Sequence, residues 1–346
     1  MHSASRPVPD YVLNVAVCGA GAFGRNHLRI YRDLGQGGHA VKLAAIVEPQ
    51  SSQTAALSEE WKVPIYPSVD ACLEARNRGK VQVDAASICV PTSMHHAVAV
   101  PLLAAGVDLL IEKPIAATTA QAGDLRALAQ KYDRILAVGH LERFNPAVTA
   151  IQPWLSRPMF FEAHRLSIFT PRALDVDVVL DLMIHDLDIV LSFVQSPVHH
   201  LHAVGLPIVS GKVDIANVRL EFESGCVANF TASRVSTERV RKLRFFQPHQ
   251  YVSIDYARQD LLVIDVDPCA APLPAETSLP PGLALRKPPV QSGEPLQLEI
   301  ESFLDCVRTR VVPRVSAQDG LAALALALDI NAAIATHAQR AGLDRF

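Results

Sequence analysis

Gly19-Ala20-Gly21-Ala22-Phe23-Gly24 directly follows an apolar run and opens a helical stretch, FGRNHLRIYRDL. Glycines at this spacing between a strand and a helix aim helix N–H groups at a pyrophosphate; a plain strand-to-helix turn is the alternative. Glu48 ends the second apolar run, 24 residues beyond Gly24. A carboxylate there accepts hydrogen bonds from the adenosine ribose hydroxyls and repels a 2′-phosphate, so the expected dinucleotide is NAD rather than NADP. Two further turns face the same crevice at the carboxyl ends of the strands: Cys89 to His96, with Pro91, Thr92 and His95, and Ile111-Glu112-Lys113-Pro114. Asp181 and His185 are spaced i and i+4, so they share one helix face while Met183, Ile184 and Leu187 fill the apolar positions around them. A carboxylate beside an imidazole orients it and raises its basicity, which suits a general base; a surface ion pair has the same spacing.

The elements that must position these residues follow from hydrophobic periodicity. The near-continuous apolar runs 12–18, 41–47, 84–90, 107–111 and 134–138 alternate with helical stretches, which implies a doubly wound parallel sheet covered on both faces. From 159 onward the pattern changes to longer alternating runs, with Glu223-Ser224-Gly225 as a hairpin turn, and implies a largely antiparallel sheet plus a helix over 176–194. Eight of the 24 prolines lie between Pro268 and Pro295, an irregular loop, and helices are expected over 296–309 and 317–341. The expected domains are 10–140 and 141–346, with the C-terminal helices free to pack back on the first. Only one clear helix is available to cover the second sheet, so its other face is expected to be apolar and to join copies into a homodimer or homotetramer.

The 346 residues comprise 32 Lys and Arg and 35 Asp and Glu, a net charge of −3, which leaves no basic field for nucleic acid. Lys42, Glu48, Lys62, Asp84 and Glu112 interrupt the apolar runs before the length of a membrane span, so none is expected. The six cysteines are scattered without zinc spacing, and no metal is expected. The first residues lack the apolar segment of a secretion signal, and a reducing cytoplasm is the natural compartment.

Together GAGAFG, ICVPTSMHH, IEKP and DLMIHDLD resemble the Gfo/Idh/MocA family of nicotinamide-dependent sugar oxidoreductases over nearly the whole chain. Gly139 to Pro146, Asp181 to Asp188 and Arg241 to Tyr256 resemble its branch acting on the 3-hydroxyl of UDP-N-acetylglucosamine. The resemblance implies an N-terminal Rossmann domain, a C-terminal α+β domain with an open-faced sheet, and a functional link to a PLP-dependent aminotransferase in lipid A synthesis. It implies cofactor contacts from Gly19, Ala20, Gly21, Ala22, Phe23, Gly24, Glu48, Pro91, Thr92, His95, Glu112 and Lys113, and a catalytic set of Lys113, Asp181 and His185. Either His185, held by Asp181, or Lys113 takes the hydroxyl proton, and the residues alone leave both open. For the sugar and its diphosphate the expected contacts are Arg143, Asn145, Arg165 and Arg172 together with Lys113 and His185. The cluster Arg234, Arg239, Arg241, Lys242 and Arg244 is either a further anion contact or a solvated strand. A departure from the family pattern is Val179-Leu180, where many members have glycines before the catalytic pair. Alternatives to the sugar-nucleotide enzyme are a dehydrogenase of another sugar or cyclitol and a non-catalytic NAD-binding sensor.

Overall fold

The computed structural model describes residues 11–170, 176–266 and 282–343. They divide into two compact units: the described residues up to Leu141 with Leu296–Leu324, and those from Glu142 to Pro295 with those from Ala325 on. Arg172, Cys269 and the first half of the proline-rich loop lie outside the described residues.

In the first unit, six parallel strands, β1 (Leu13–Cys18), β2 (Val41–Val47), β3 (Ile65–Tyr66), β4 (Ala85–Ile88), β5 (Asp108–Glu112) and β6 (Leu136–Gly139), lie in the order β3-β2-β1-β4-β5-β6. Five are the apolar runs read from the sequence. The sixth, β3, escapes periodicity because two residues between Pro64 and Pro67 carry no pattern. The helices α1 (Ala22–Gln36), α2 (Ser51–Trp61), α3 (Val69–Asn77), α4 (Thr92–Ala104) and α5 (Thr119–Lys131) alternate with them. Ser68 and Thr118 cap α3 and α5 by accepting the N–H groups of Ala71 and Gln121. The strand order reverses between β1 and β4, which puts a crevice at their carboxyl ends.

The second unit contains α6 (Pro146–Ala150), α7 (Ile184–Val194) and an eight-stranded sheet. Its strands are β7 (Phe160–Ile168), β8 (Val198–Leu206), β9 (Ile215–Phe222), β10 (Val227–Ser236), β11 (Val240–Gln247), β12 (Gln250–Asp255), β13 (Asp260–Val266) and β14 (Leu283–Arg286), ordered β14-β13-β12-β11-β7-β10-β9-β8. Only β7 and β10 run parallel. Phe161, Phe230, Phe245 and Ile254 alternate onto the covered face, where Phe193 of α7 meets the rings of Phe161 and Phe245. The other face differs from the expected apolar surface. Glu162, His164, Arg219, Asn229 and Lys242 alternate onto it, and Phe160, Phe246 and Tyr251 form one aromatic patch with ring centroids 5.6 and 5.1 Å apart. The period of two places polar residues opposite the core, whatever covers them.

Two long helices close the chain, α8 (Pro295–Thr309) and α9 (Ala317–Ala341). Leu296, Ile300, Phe303, Leu304 and Val307 of α8 join the first unit's core cluster with Leu13, Val15 and Tyr31. Contrary to the expectation from the earlier apolar runs, α9 is long and apolar enough to cross a membrane by length and composition. Its buried residues Ala323, Leu324, Ala327, Ile330 and Ile334 instead follow helical spacing, as on the inward face of a core helix. The five described cysteines are free, and burial pushes all their thiols above the ordinary range.

Candidate active site

At the end of β1 the three glycines meet three different demands. Gly19 has φ +91°, and a Cβ there would stand 2.8 Å from the Cys89 carbonyl oxygen. Gly24 lies so close to the Gly19 carbonyl that an added Cβ would be 2.0 Å from its oxygen, so α1 can pack on the strand only with glycine here. Gly21 N-caps α1 without a side-chain bond, and a Cβ on it would meet nothing within 4 Å. The outer side of the turn, Gly21 to Phe23, is exposed, so the first N–H groups of α1 are presented to an anion. Glu48, just past β2, accepts the N–H of Ala20 at 2.8 Å and that of Gln50 at 3.1 Å on separate oxygens. Each oxygen retains acceptor capacity for a ribose hydroxyl. These residues fit NAD: Gly19 to Gly24 would hold its diphosphate and Glu48 its adenosine ribose.

The Glu112-Lys113-Pro114 turn ends β5, with a cis peptide before Pro114. The Glu112 carboxylate has a partner within the protein. Its Oε1 lies 3.0 Å from Nε2 of the fully buried His27, whose Nδ1 is 3.1 Å from Ser87 Oγ, itself 2.8 Å from the Tyr31 hydroxyl. Burial raises the Tyr31 pKa. Tyr31, Ser87, His27 and Glu112 thus form one buried hydrogen-bonded chain in which each of these polar groups has a partner. Gly139 on β6 makes room for the carboxylate, since a Cβ there would be 2.7 Å from Oε1. Glu112 is thus an anchor beneath Lys113, which is half-buried. The two ring nitrogens of His95 lie 2.9 Å from the carbonyls of Pro114 and Val90, so it braces the Lys113 turn against the turn that leads through Pro91 to Thr92 at the start of α4. Burial lowers its pKa against the raising effect of those carbonyls. His27 was legible only as a helix residue one turn past Gly24.

In the second unit, Asp181 lies within a π-helical turn, Val179–Met183, that runs into α7, and His185 lies on the first turn of α7. The Ile184 N–H reaches the Val179 carbonyl five residues back, so the turn holds one residue more than an α-helical one, a form found disproportionately at functional sites. Asp181 and His185 are half-buried, while Met183, Ile184 and Leu187 are buried beside them. Two residues expected at the substrate have partners within the protein. Arg165 is buried, with Nε and Nη2 on the two oxygens of Asp186 at 2.7 and 3.0 Å and Nη1 on Glu142 at 3.0 Å. Its guanidinium is held charged by these carboxylates, and it lies over the Tyr256 ring. Asn145 donates to Glu142 and to the Tyr256 carbonyl, and its oxygen accepts the Ala147 N–H as the cap of α6. Arg165 thus has two carboxylate partners more than 20 positions away, and Asn145 has one local carboxylate and a distant backbone carbonyl. Burial raises the Asp186 pKa against the lowering effect of Arg165. Arg143 pairs through Nε with Asp188 at 2.9 Å.

The basic cluster is a solvated strand for the most part: Lys242 faces Asp255 and Arg244 faces Glu162, each at 3.9 Å, while buried Arg234 pairs with Asp214 at 3.7 Å. A cavity of about 430 Å³ lined by Arg76, Arg134, Arg308 and Arg310 sits at the opposite edge of the parallel sheet from the glycine turn. Arg76, Arg134 and Arg310 bond the carbonyls of Ala105, Gly106 and Asp133, just past the C-termini of α4 and α5, where cations offset the helix dipoles. Among the described residues no group of His, Cys, Asp and Glu is arranged to hold a metal ion.

The model of an oxidoreductase family with an NAD-binding Rossmann fold matches residues 13–140, and that of the Gfo/Idh/MocA C-terminal domain matches 148–247. The chain is 34% identical over 329 residues to UDP-N-acetylglucosamine 3-dehydrogenase of Acidithiobacillus ferrooxidans, an alignment covering 95% of this chain and 99% of that enzyme. A solved structure of that enzyme matches with a TM-score of 0.84, covering 93% of this chain and 97% of that one. Inositol 2-dehydrogenase of Corynebacterium glutamicum is 33% identical over 136 residues, 39% of this chain and 38% of that enzyme. With one family model on each unit and a relative 34% identical over 95% of its length, the chain belongs to the Gfo/Idh/MocA family and is an NAD-binding oxidoreductase.

Proposed function

We propose that this protein oxidises the 3-hydroxyl of UDP-N-acetylglucosamine to the 3-keto sugar nucleotide with NAD. The observation that carries the substrate is the extent of similarity to the Acidithiobacillus enzyme. At 34% identity it runs through both units and so includes the Asp181/His185 unit, whereas the similarity to the Corynebacterium inositol 2-dehydrogenase covers 39% of the chain. His185 takes the hydroxyl proton. Asp181 holds its tautomer and stabilises the imidazolium. Lys113 donates a hydrogen bond to the same oxygen and offsets its developing negative charge. When bound, NAD supplies the hydride acceptor. The 3-keto product is the carbonyl that a PLP-dependent aminotransferase needs, which agrees with the place in diamino-sugar synthesis for lipid A that the resemblance implies. A second copy of the chain covers the open sheet face at the Phe160, Phe246 and Tyr251 patch; a monomeric mass by light scattering at micromolar concentration removes that part of the reading.

The test is NADH formation by purified protein with UDP-sugars, free sugars and inositols, run with an aminotransferase and amino donor to draw off the ketone. UDP-N-acetylglucosamine is expected to give the highest turnover, and NAD to outperform NADP because Glu48 repels a 2′-phosphate. Turnover confined to inositols or free sugars overturns the substrate. Equal turnover with NADP overturns the role of Glu48.

A further inference from the structure

We propose that Asp177 and Asn331 are positioning residues that set the π-helical turn carrying Asp181, and through it the alignment of Asp181 with His185. The proposal rests on the catalytic reading of that pair.

Asp177 stands immediately before the buried Val178 and Val179. Its Oδ1 accepts the N–H groups of Val179 at 2.9 Å and Leu180 at 3.0 Å, and its carbonyl accepts the Asp181 N–H at 3.0 Å. One residue thereby holds three successive donors of the turn, the third belonging to Asp181 itself. The second carboxylate oxygen, Oδ2, accepts from Asn331 Nδ2 of α9 at 3.0 Å. The carboxylate is thus fixed at both ends, one oxygen on the turn and one on a helix 154 positions later in the chain.

Such a clamp is needed because a π-helical turn is a poorer arrangement than the α-helix it runs into and persists only where its surroundings hold it. Val178 N–H donates to the Val213 carbonyl at 2.9 Å, and Arg234 Nη2 donates to the Val176 carbonyl. The loop that supplies Val213 is itself held: Asp214 collects the N–H groups of Ile208, Val209 and Ser210 at 2.7, 2.7 and 2.9 Å and the Ser210 hydroxyl at 2.6 Å. Met183 is buried at the far end of the turn. Of these restraints the Asn331 bond is the one that can be altered with little steric consequence. Asp177 and Asn331 line a cavity of about 340 Å³ with Gly205, Val213 and Ile334, so a side chain of similar size at 331 meets no wall. Lys212 lines the same cavity, and the other charged groups around the clamp are Arg234, Asp214 and Asp181.

Asn331→Asp puts a carboxylate where the amide donor stood. At pH 8 the two carboxylates repel, and the cap on Val179 and Leu180 shifts. A misplacement of about 1 Å can cost ~10²-fold in rate, so kcat is expected to fall by between ~10- and ~100-fold, while the NAD dissociation constant, set by residues of the other unit, is unchanged. As the pH is lowered the two acids come to share a proton and an O–H···O bond replaces the lost N–H···O bond, so the ratio of variant to wild-type kcat rises. A residue that only stabilised the fold would not give this pH-dependent ratio. Combining Asp177→Asn with Asn331→Asp restores an amide facing a carboxylate, with an amide oxygen left to cap the turn, and is expected to recover most of the rate. Should Asn331→Asp fail to fold, Asn331→Ala removes the donor without adding charge and is expected to lower kcat with NAD affinity intact. Wild-type kcat at pH 8 in Asn331→Asp, joint loss of NAD affinity and turnover, or failure of the double exchange to recover the rate each overturns the proposal. Inactivity of the wild-type protein on every sugar nucleotide overturns the catalytic reading instead, because the ratio is measured on whatever substrate the wild-type protein turns over.

Discussion

His185→Asn and Lys113→Ala each lower sugar oxidation by ~10²- to 10⁴-fold, the usual cost of removing a positioned acid or base, with NAD binding largely kept. The expected separation follows from where the side chains stand. Gly19 to Gly24 and Glu48 belong to the first unit, at the carboxyl ends of β1 and β2, and would hold the diphosphate and adenosine ribose. His185 belongs to the second unit, on the first turn of α7. Its loss leaves the glycine turn untouched, so isothermal titration with NAD should give a near-wild-type constant while steady-state turnover collapses. Lys113 lies between Glu112, whose carboxylate is anchored on His27, and Pro114, whose carbonyl is held by His95. Lys113→Ala is therefore expected to cost some NAD affinity as well as rate. Wild-type turnover in His185→Asn with loss of activity in Lys113→Ala assigns the base to Lys113. Full activity in both removes the catalytic assignment.

Arg165→Met is expected to be the most destabilising of the charge-to-neutral replacements, by about 3 to 5 kcal/mol, because it strands buried carboxylates. Arg165 is the shared partner of Glu142 and Asp186, all three are buried, and the methionine stem replaces the volume but none of the three guanidinium bonds. A loss of that size is a large share of the ~5 to 15 kcal/mol that holds a typical domain together, so the urea midpoint should fall sharply. Lowering the pH should partly reverse it. Asp186 already has a raised pKa in the folded protein, from burial, with Arg165 opposing the rise. Removing Arg165 raises it further, the folded state then binds protons more readily than the unfolded one, and stability recovers as the pH drops toward the folded-state value. Arg244→Met supplies the contrast. Arg244 faces Glu162 at 3.9 Å with both side chains more than a third exposed, and such pairs contribute about 0 to 1 kcal/mol. Equal urea midpoints for the two variants would refute the buried-network reading.

What could be read along the chain was whatever is encoded by neighbours. The five principal strands of the first sheet, the glycine turn with Glu48 at its proper distance, the Glu223-Ser224-Gly225 hairpin and the two closing helices all follow from period, turn chemistry or spacing within a few tens of residues. The tertiary structure decided the partners of the polar side chains. Arg165 and Asn145 read as substrate contacts by residue type and proved to be bound by Glu142, Asp186 and the Tyr256 backbone. Glu112 read as a cofactor contact and proved to be anchored by His27, 85 positions away. The turn carrying Asp181 read as ordinary helix and proved to be π-helical, capped by Asp177 and tied to Asn331. Periodicity reports which way a side chain faces, since that is set by the local backbone. Which charge waits on the other side depends on how distant segments meet, and a buried polar group accepts whatever partner folding brings within 3 Å because leaving it bare costs more.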